Sequence, residues 1–328
     1  MAAAVVAVAA VVAADAADVE PDPANLISII MKKYILSSLL VTLSLATPSL
    51  AEETTPIPPK NFETPVEASD AFIIAAKNGE QQAILEIFGN KHQDLIGTAD
   101  PERDKELRAK VAAMAVERRR FRFNDENSVT MVIGAEAWPF PVPLVKTDKG
   151  WHFDSDTGIE EIVKRRIGEN ELTVIDSMKA YLAAQAAYAA EPRDGGKVRQ
   201  FARKFISSPG KHDGLYWQAD VENGEEPSPA GPEIKDPGTS YAGYHFKILT
   251  SQGKAAPAGN YDYLINDHLI GGFALIAWPA DYGKTGVMTF IVNHYGVVHE
   301  RDLGPNTSKL ASAINEYDPD KEWKEVSE

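Results

Sequence analysis

The hydrophobic pattern of this chain changes its period three times, and these changes limit the architectures it can adopt. Before residue 120, apolar residues recur every three or four positions, as on the buried face of a helix. Residues 129–133 alternate apolar with polar, which is the period of a strand with one buried face. Residues 159–190 return to the helical period, and the last third alternates again between Gly, Pro and Asn turns. We therefore predict an α+β fold of two domains, residues 62–168 and 169–328, each with helices followed by antiparallel strands.

The first domain opens with the signature of a helix start. Thr64 offers a capping hydroxyl, Pro65 suits the first helical position, and Glu67 lies three residues past the cap. Further helices precede a small antiparallel sheet, a pattern that resembles the cone-shaped cystatin and nuclear-transport-factor folds. Residues 138–143 belong at an edge of this sheet, because three of the six are prolines and lack an amide proton.

The second domain is predicted to begin with helices and to continue as a meander. Gly168 interrupts the helical pattern, so we expect two helices, residues 159–167 and 172–190. A loop-rich region, residues 193–241, follows. The strands of the meander are expected at residues 244–250, 261–265, 272–278, 287–292 and 297–301.

Residues 31–51 have the three parts of a secretory signal peptide. Lys32 and Lys33 supply the positive charge, an apolar stretch follows at residues 34–46, and Ser49-Leu50-Ala51 offers small residues for cleavage. The apolar stretch has 13 residues, whereas a membrane-spanning helix needs about 20. We therefore expect the segment to be removed rather than retained as an anchor.

The mature chain is then predicted to start at Glu52 and to be delivered to the bacterial periplasm. Residues 52–61 are rich in proline and form an extended leader. Residues 1–30 precede a signal peptide that should itself be N-terminal, so Met31 is the expected initiator and the upstream extension is not translated.

The composition of residues 52–328 excludes several classes of function. They carry 31 basic and 44 acidic residues, and this negative charge repels nucleic acid and anionic lipid. The chain has no cysteine, so disulfides, thiol nucleophiles and cysteine-based zinc sites are excluded.

One loop brings catalytic residue types together. In loop 211–217, His212 and Asp213 supply a base and a carboxylate, and Tyr216 and Trp217 supply aromatic surface. Loops often carry function, so a periplasmic hydrolase or glycan-processing enzyme is one interpretation. A tight turn whose aromatic residues cover the core is the other, and it is favoured.

A second set of aromatic residues lies on the predicted strands of the last third. Flat amphipathic rings suit a groove that binds a peptide or a glycan, although packing of the sheet is the simpler interpretation. The residues concerned are Tyr241, Tyr244, Tyr261, Tyr263 and Trp278.

The remaining motifs are incomplete, and we predict neither a metal nor a cofactor. Gly283-Lys284-Thr285 lacks the earlier glycine of a phosphate-binding loop, since Trp278 stands in its place. Arg193-Asp194-Gly195-Gly196 has only one residue of a calcium loop in position. His294 and His299 together supply only two ligands for a metal. Residues 281–286 and 293–296 are instead predicted to form hairpin turns.

Two resemblances to known families follow from particular stretches. The combination of residues 138–145, 165–172, 208–217 and 271–280 resembles the bacterial domain-of-unknown-function family 2950, over residues 62–326. This resemblance implies an exported protein of Gram-negative bacteria, with no established activity and no catalytic residues to transfer.

The last third also resembles the globular head of type II secretion pseudopilins. The stretches that carry this resemblance are residues 185–188, 243–246, 286–292 and 296–298. It implies a subunit of a pilus or secretion apparatus, but pseudopilins keep a long apolar N-terminal helix, whereas helix 172–190 is amphipathic and internal. We expect a non-catalytic binding or assembly component of the cell envelope, whose partner is an envelope protein, a peptide or a glycan.

Overall fold

A computed structural model describes residues 56–92, 101–231 and 239–327, with only the backbone for residues 101–104. The predicted signal peptide, the upstream extension and the first residues of the leader lie outside these ranges. The described residues form two compact units that divide between Arg165 and Arg166. Helices and antiparallel sheets occur in both units, so the predicted α+β class is confirmed. Within the described ranges, no helix combines the length and the apolar character needed to cross a membrane.

Three helices open the first unit: α1 (Pro65–Asn78), α2 (Gln81–Phe88) and α3 (Pro101–Glu117). The predicted start of α1 is confirmed, since the Thr64 hydroxyl oxygen accepts a hydrogen bond from the Glu67 amide at 3.1 Å. This bond satisfies one of the amides that the first turn of a helix leaves free.

The sheet of the first unit has five strands, β1 (Arg119–Asp125), β2 (Ser128–Ile133), β3 (Trp138–Pro139), β4 (Leu144–Thr147) and β5 (Gly150–Phe153). It is antiparallel, with the order β1-β2-β4-β5 and β3 against β2. Among the described strands, β3 pairs with β2 alone, which confirms that this proline-rich segment lies at an edge. The core between sheet and helices contains a cluster of phenylalanine rings, formed by Phe72, Phe88, Phe140 and Phe153.

A single helix, α4 (Ser155–Ala189), replaces the two helices predicted on either side of Gly168. The predicted interruption is therefore wrong. A glycine inside a helix costs about 1 kcal/mol relative to alanine, which a helix of 35 residues can absorb. The alanine-rich second half of α4 also favours continuation of the helix.

The second unit is built on a five-stranded antiparallel sheet with the order β14-β13-β12-β11-β6. These strands are β6 (Tyr244–Leu249), β11 (Ala274–Pro279), β12 (Met288–Asn293), β13 (His299–Asp302) and β14 (Lys324–Glu325). Every residue of β11 is buried, and Met178 and Tyr181 of α4 belong to the same core as this strand. A short helix, α5 (Thr307–Ala313), lies near β11 as well.

The predicted strand at residues 261–265 is not part of this sheet. The chain there forms β8 (Tyr261–Asp262), which pairs with β7 (Ser251–Gln252), and β9 (Leu264–Ile265), which pairs with β10 (His268–Leu269). Asn266 and Asp267 have φ values of 49° and 64°, so the backbone reverses immediately after β9. This two-residue turn ends the strand before it can join the larger sheet.

Candidate functional site

Loop 211–217 is held in place by the carboxylate of Asp213. Its oxygens accept hydrogen bonds from Lys204 Nζ at 2.6 Å, the Ser208 amide at 2.7 Å and the Ser208 hydroxyl at 3.0 Å. Partial burial alone would raise the pKa of Asp213, but these hydrogen bonds outweigh it and hold the pKa at about 2. A carboxylate with so low a pKa is a weak base, and its acceptor positions are already used.

The same cluster places a lysine beside a serine, a pair that can act as base and nucleophile in hydrolases. Lys204 Nζ donates to the Ser208 hydroxyl at 2.9 Å. Lys204 also forms an ion pair with Asp213 at 2.6 Å. Its Nζ therefore bridges the Asp213 carboxylate and the Ser208 hydroxyl, and the cluster braces the loop.

Trp217 is buried, and two side chains lie against its ring. The His212 ring stacks on it with 4.3 Å between centroids and 25° between planes. The Arg193 guanidinium lies 5.5 Å from the ring centroid, and the indole N–H donates to the Glu226 carbonyl at 3.0 Å. Arg193 also forms an ion pair with Glu226. The ring therefore joins distant parts of the loop region and, at 7% exposed, offers little surface to a ligand.

Tyr216 belongs to the same internal bracing. Its backbone amide donates to Phe205 O at 2.9 Å, and its carbonyl accepts from the Ser207 amide at 2.8 Å. These bonds tie the two arms of the loop to each other. Each of the four candidate residues in this loop makes contacts within the protein. Their binding of a ligand stays a prediction.

Tyr244 begins β6, and Trp278 lies near the end of β11. The two strands pair there, Trp278 with His245 and Pro279 with Tyr244. Tyr244 is fully buried, and its hydroxyl donates to Met288 O at 3.0 Å. Trp278 is 8% exposed, with its ring centroid 5.7 Å from that of His245. Tyr244 is thus a core residue, and its part in a ligand-binding groove stays a prediction.

Glu171 on α4 was not singled out by the sequence. Its carboxylate accepts hydrogen bonds from the Val287 and Met288 amides at 2.9 and 3.0 Å. The next strand brings Glu300 close enough for the two charges to interact: burial raises the pKa of Glu300, and the charge of Glu171 raises it further. Glu171 fixes the start of β12 and thereby the register of the sheet.

Tyr261 and Tyr263 lie together at the opposite end of the sheet. Tyr263 is fully buried, and its hydroxyl donates to Gln252 Oε1 at 2.8 Å. The Gln252 amide donates in turn to Gly259 O at 2.7 Å. Tyr261 is only partly buried and packs edge-on against Tyr263, with 5.4 Å between centroids. Tyr263 is therefore a fixed support under the more exposed ring of Tyr261.

His294 and Tyr295 extend this aromatic group to the surface. The His294 ring is 5.5 Å from Tyr263 and 4.4 Å from Tyr295, between centroids. Tyr295 is 55% exposed. Its backbone is fixed because its amide donates to Asn293 Oδ1 at 3.1 Å, at the end of β12. We call Tyr261, Tyr263, His294 and Tyr295 the aromatic patch.

A glycine makes room for the imidazole of the aromatic patch. Gly272 has φ of 147°, and a Cβ at this position would lie 2.6 Å from His294 Nδ1. Any side chain would therefore displace the ring. Gly272 follows Ile270 and Gly271, and Ile270 is itself 41% exposed.

Burial favours the neutral forms of His294 and Tyr261 in the aromatic patch. Burial lowers the pKa of His294, and a hydrogen bond with the Phe273 backbone offsets this only in part. Burial raises the pKa of Tyr261, and the neighbouring Tyr295 raises it further. The surface therefore presents ring faces and hydroxyl groups.

The sequence pattern identified half of the aromatic patch. Tyr261 and Tyr263 were predicted, but they were grouped with Tyr244 and Trp278, which lie elsewhere. His294 and Tyr295 were interpreted as a hairpin corner, and they do form one, since the Gly296 amide donates to Asn293 O at 2.8 Å. The signal that was overlooked is an aromatic residue at the exposed tip of a turn.

The turn interpretation of the phosphate-loop-like motif is also supported by the structure. The Gly283 amide donates to Gly286 O at 2.8 Å, and the Thr285 amide donates to Asp281 O at 2.9 Å. Lys284 Nζ forms an ion pair with Asp281 at 2.9 Å. The amides and the lysine of this motif are thus used within the turn.

These features define a class: an α+β protein of two compact units, each with its own antiparallel sheet and core. The chain matches the family model described as Protein of unknown function (DUF2950) over residues 59–326. It belongs to this family, which confirms the resemblance seen in the sequence. Neither a curated protein nor a solved structure matches the chain. The resemblance of the last third to pseudopilin heads stays a prediction.

Proposed function

We propose that this protein is an exported, non-catalytic binding component of the bacterial cell envelope, and that the aromatic patch binds a neutral glycan. The observation that carries the proposal is Tyr295, a tyrosine that is 55% exposed on a backbone fixed by Asn293, with its ring tilted against that of His294 at 4.4 Å between centroids. When a large aromatic side chain at the surface is already held in place, a ligand that binds to it causes little further loss of side-chain entropy.

A glycan fits the chemistry of the aromatic patch better than a charged ligand. Sugar rings present apolar C–H faces and polar hydroxyl edges. The exposed ring of Tyr295 suits the first, and the hydroxyls of Tyr261 and Tyr295 suit the second. The patch offers an ionic ligand no favourable charge interaction through His294 or Tyr261, because burial favours the neutral form of both.

Export is supported by the sequence of residues 31–51, with its lysine pair, its apolar stretch and its small residues at the cleavage position. The test is the mature N-terminus. Expression in a Gram-negative host should give a periplasmic product that starts at Glu52, read by mass spectrometry. An intact chain in the cytosol would refute this part of the proposal.

A hydrolase that uses loop 211–217 has less support. Asp213 is paired with Lys204, and the Trp217 ring is 7% exposed, with the His212 ring and the Arg193 guanidinium against it. The carboxylate and the indole that motivated the hydrolase interpretation are therefore engaged in contacts within the protein.

Glycan binding is tested with peptidoglycan sacculi in a sedimentation assay and with the oligosaccharide chitotetraose by calorimetry. Tyr295→Ala and Tyr261→Ala should each weaken binding by about tenfold, since a lost aromatic contact costs on the order of 1 kcal/mol or more. The matched control is Tyr282→Ala. Tyr282 precedes the start of β12, whereas Tyr295 follows its end, and its hydroxyl contacts only Asp302 among the described residues.

The outcomes separate the possible ligands. Binding to sacculi and to chitotetraose that depends on Tyr295 supports the proposal. Binding to sacculi alone would point to their peptide stems, and an equal loss in Tyr282→Ala would remove the aromatic patch from the site. Either of these results would overturn the glycan assignment.

A further inference from the structure

The strand β1 has one free edge in the part of the chain that the structure describes. It pairs with β2 from Arg119 to Asp125, and no other described strand pairs with it. β1 is seven residues long and contains no proline, so its outer amides and carbonyls can accept a further strand.

β1 concentrates positive charge in a chain whose net charge is −15. Four of residues 118–122 are arginines. Arg119 is neutralised by an ion pair with Asp70 at 2.7 Å, and Arg118 donates to the Ala135 carbonyl at 3.3 Å. Arg120 and Arg122 are exposed and have no partner within the described residues.

The two unpaired arginines lie on one face of the strand. They are two residues apart, opposite Val132 and Thr130 of β2, so their Cα atoms are about 7 Å apart. An extended peptide has the same spacing between every second side chain. Carboxylates at alternate positions of an added strand would therefore lie beside both guanidinium groups.

The other face of β1 is aromatic. Phe121 packs against the core of the first unit, and Phe123 is 69% exposed. An added strand would place its remaining side chains on this face, and apolar residues there would cover Phe123. Glu117 and Asp125 lie at the two ends of the positive stretch, so the stretch is short. It therefore fixes the register in which an added strand can pair with β1.

We propose that the free edge of β1 binds an extended segment of a partner protein in which acidic and apolar residues alternate, by β-strand addition. A second copy of the chain is a poor occupant, because antiparallel pairing of two β1 strands would bring arginines close to one another. This surface belongs to the first unit and is independent of the aromatic patch.

The test uses the full chain and a short fluorescein-labelled peptide of alternating glutamate and valine, with fluorescence anisotropy as the readout. The double variant Arg120→Glu/Arg122→Glu should weaken binding by about tenfold or more. Lys146→Glu/Lys149→Glu is the matched control, since it makes the same change of net charge on exposed residues of β4 and the following turn. The control should lose less than about threefold.

Backbone pairing is tested with a peptide that is N-methylated at alternate residues, which cannot form the ladder. This peptide should fail to bind. Arg120→Gln/Arg122→Gln provides a milder change in case charge reversal prevents folding, and it should still weaken binding.

The proposal is overturned if the N-methylated peptide binds as tightly as the unmodified one. It is also overturned if Arg120→Glu/Arg122→Glu and its control Lys146→Glu/Lys149→Glu lose affinity equally. It is also overturned if the chain binds phosphatidylglycerol vesicles through Arg120 and Arg122 while ignoring the peptide. That result would assign the edge to anionic lipid.

Discussion

Removal of the Asp213 charge should destabilise the second unit in a way that depends on pH. The pKa of Asp213 is held at about 2, against its usual 3.8. A shift of almost two units corresponds to at most about 2.5 kcal/mol, at about 1.4 kcal/mol per unit. The side chain is 29% exposed, and solvent screening reduces the expected contribution to about 1.5 kcal/mol. We therefore expect Asp213→Asn to lower the free energy of unfolding by about this amount at pH 7.

The sign of the pH effect follows from the lowered pKa. The unfolded chain takes up the Asp213 proton first as the pH falls, so the stabilisation is complete above about pH 5 and is lost between about pH 4 and pH 2. About half of the penalty of Asp213→Asn should remain at pH 3. Urea denaturation of the full chain and of the variant, at pH 7 and pH 3, measures both values.

The matched control is Asp267→Asn. Asp267 is also in an ion pair with an arginine, Arg203, but its side chain is 88% exposed, so little change in stability is expected. An equal penalty for Asp213→Asn at both pH values would refute the electrostatic account. A penalty as large in the Asp267 variant would refute the role of the surrounding hydrogen bonds.

Three further predictions concern the large sheet of the second unit and its ends. Gly272→Ala should lower the free energy of unfolding by about 2 kcal/mol or more in urea denaturation, because its Cβ would meet His294. The control is Gly283→Ala, which has a similarly disfavoured φ but no heavy atom within 4 Å and should lose about 1 kcal/mol. An equal loss in the two variants would contradict the crowding argument. Burial lowers the pKa of His294, so the unfolded state binds its proton first and stability falls between about pH 7 and pH 5. His294→Phe should flatten this slope by up to about 1.4 kcal/mol per pH unit, and an unchanged slope would show that the imidazole is not responsible. Glu171→Gln should lower the pKa of Glu300, since a nearby negative charge is removed; an NMR titration that finds this pKa unchanged would contradict their coupling.

Local signals in the sequence predicted the elements that depend on neighbouring residues. The cap at Thr64 depends on residues within one turn of helix, so it was predicted correctly. The interruption at Gly168 was wrong because the low helix propensity of one residue was given more weight than the flanking helical sequence. The strand at residues 261–265 was wrong because the pattern does not show that Asn266 and Asp267 both adopt positive φ.

The candidate site was harder to predict because its contacts join residues far apart in the chain. Trp217 appeared available for a ligand, but Arg193, 24 residues earlier, covers one of its faces. Tyr295 was treated as part of a turn, and its support by His294 and Tyr263 appears only when β8 and β12 are brought together. Composition does not show which aromatic rings are covered and which remain free.

The bracing of the loop region has a consequence for resistance to proteases. Residues 190–231 contain only one turn of 3-10 helix, and such a stretch, with several lysines and arginines, would normally be an easy substrate for trypsin-like enzymes. Lys204 is bound to Asp213, and Arg193 is packed between Tyr188 and Trp217. Cleavage beside either residue requires the local contacts to open first, so these two positions should be cut more slowly than the exposed Lys197 and Arg199 of the same segment.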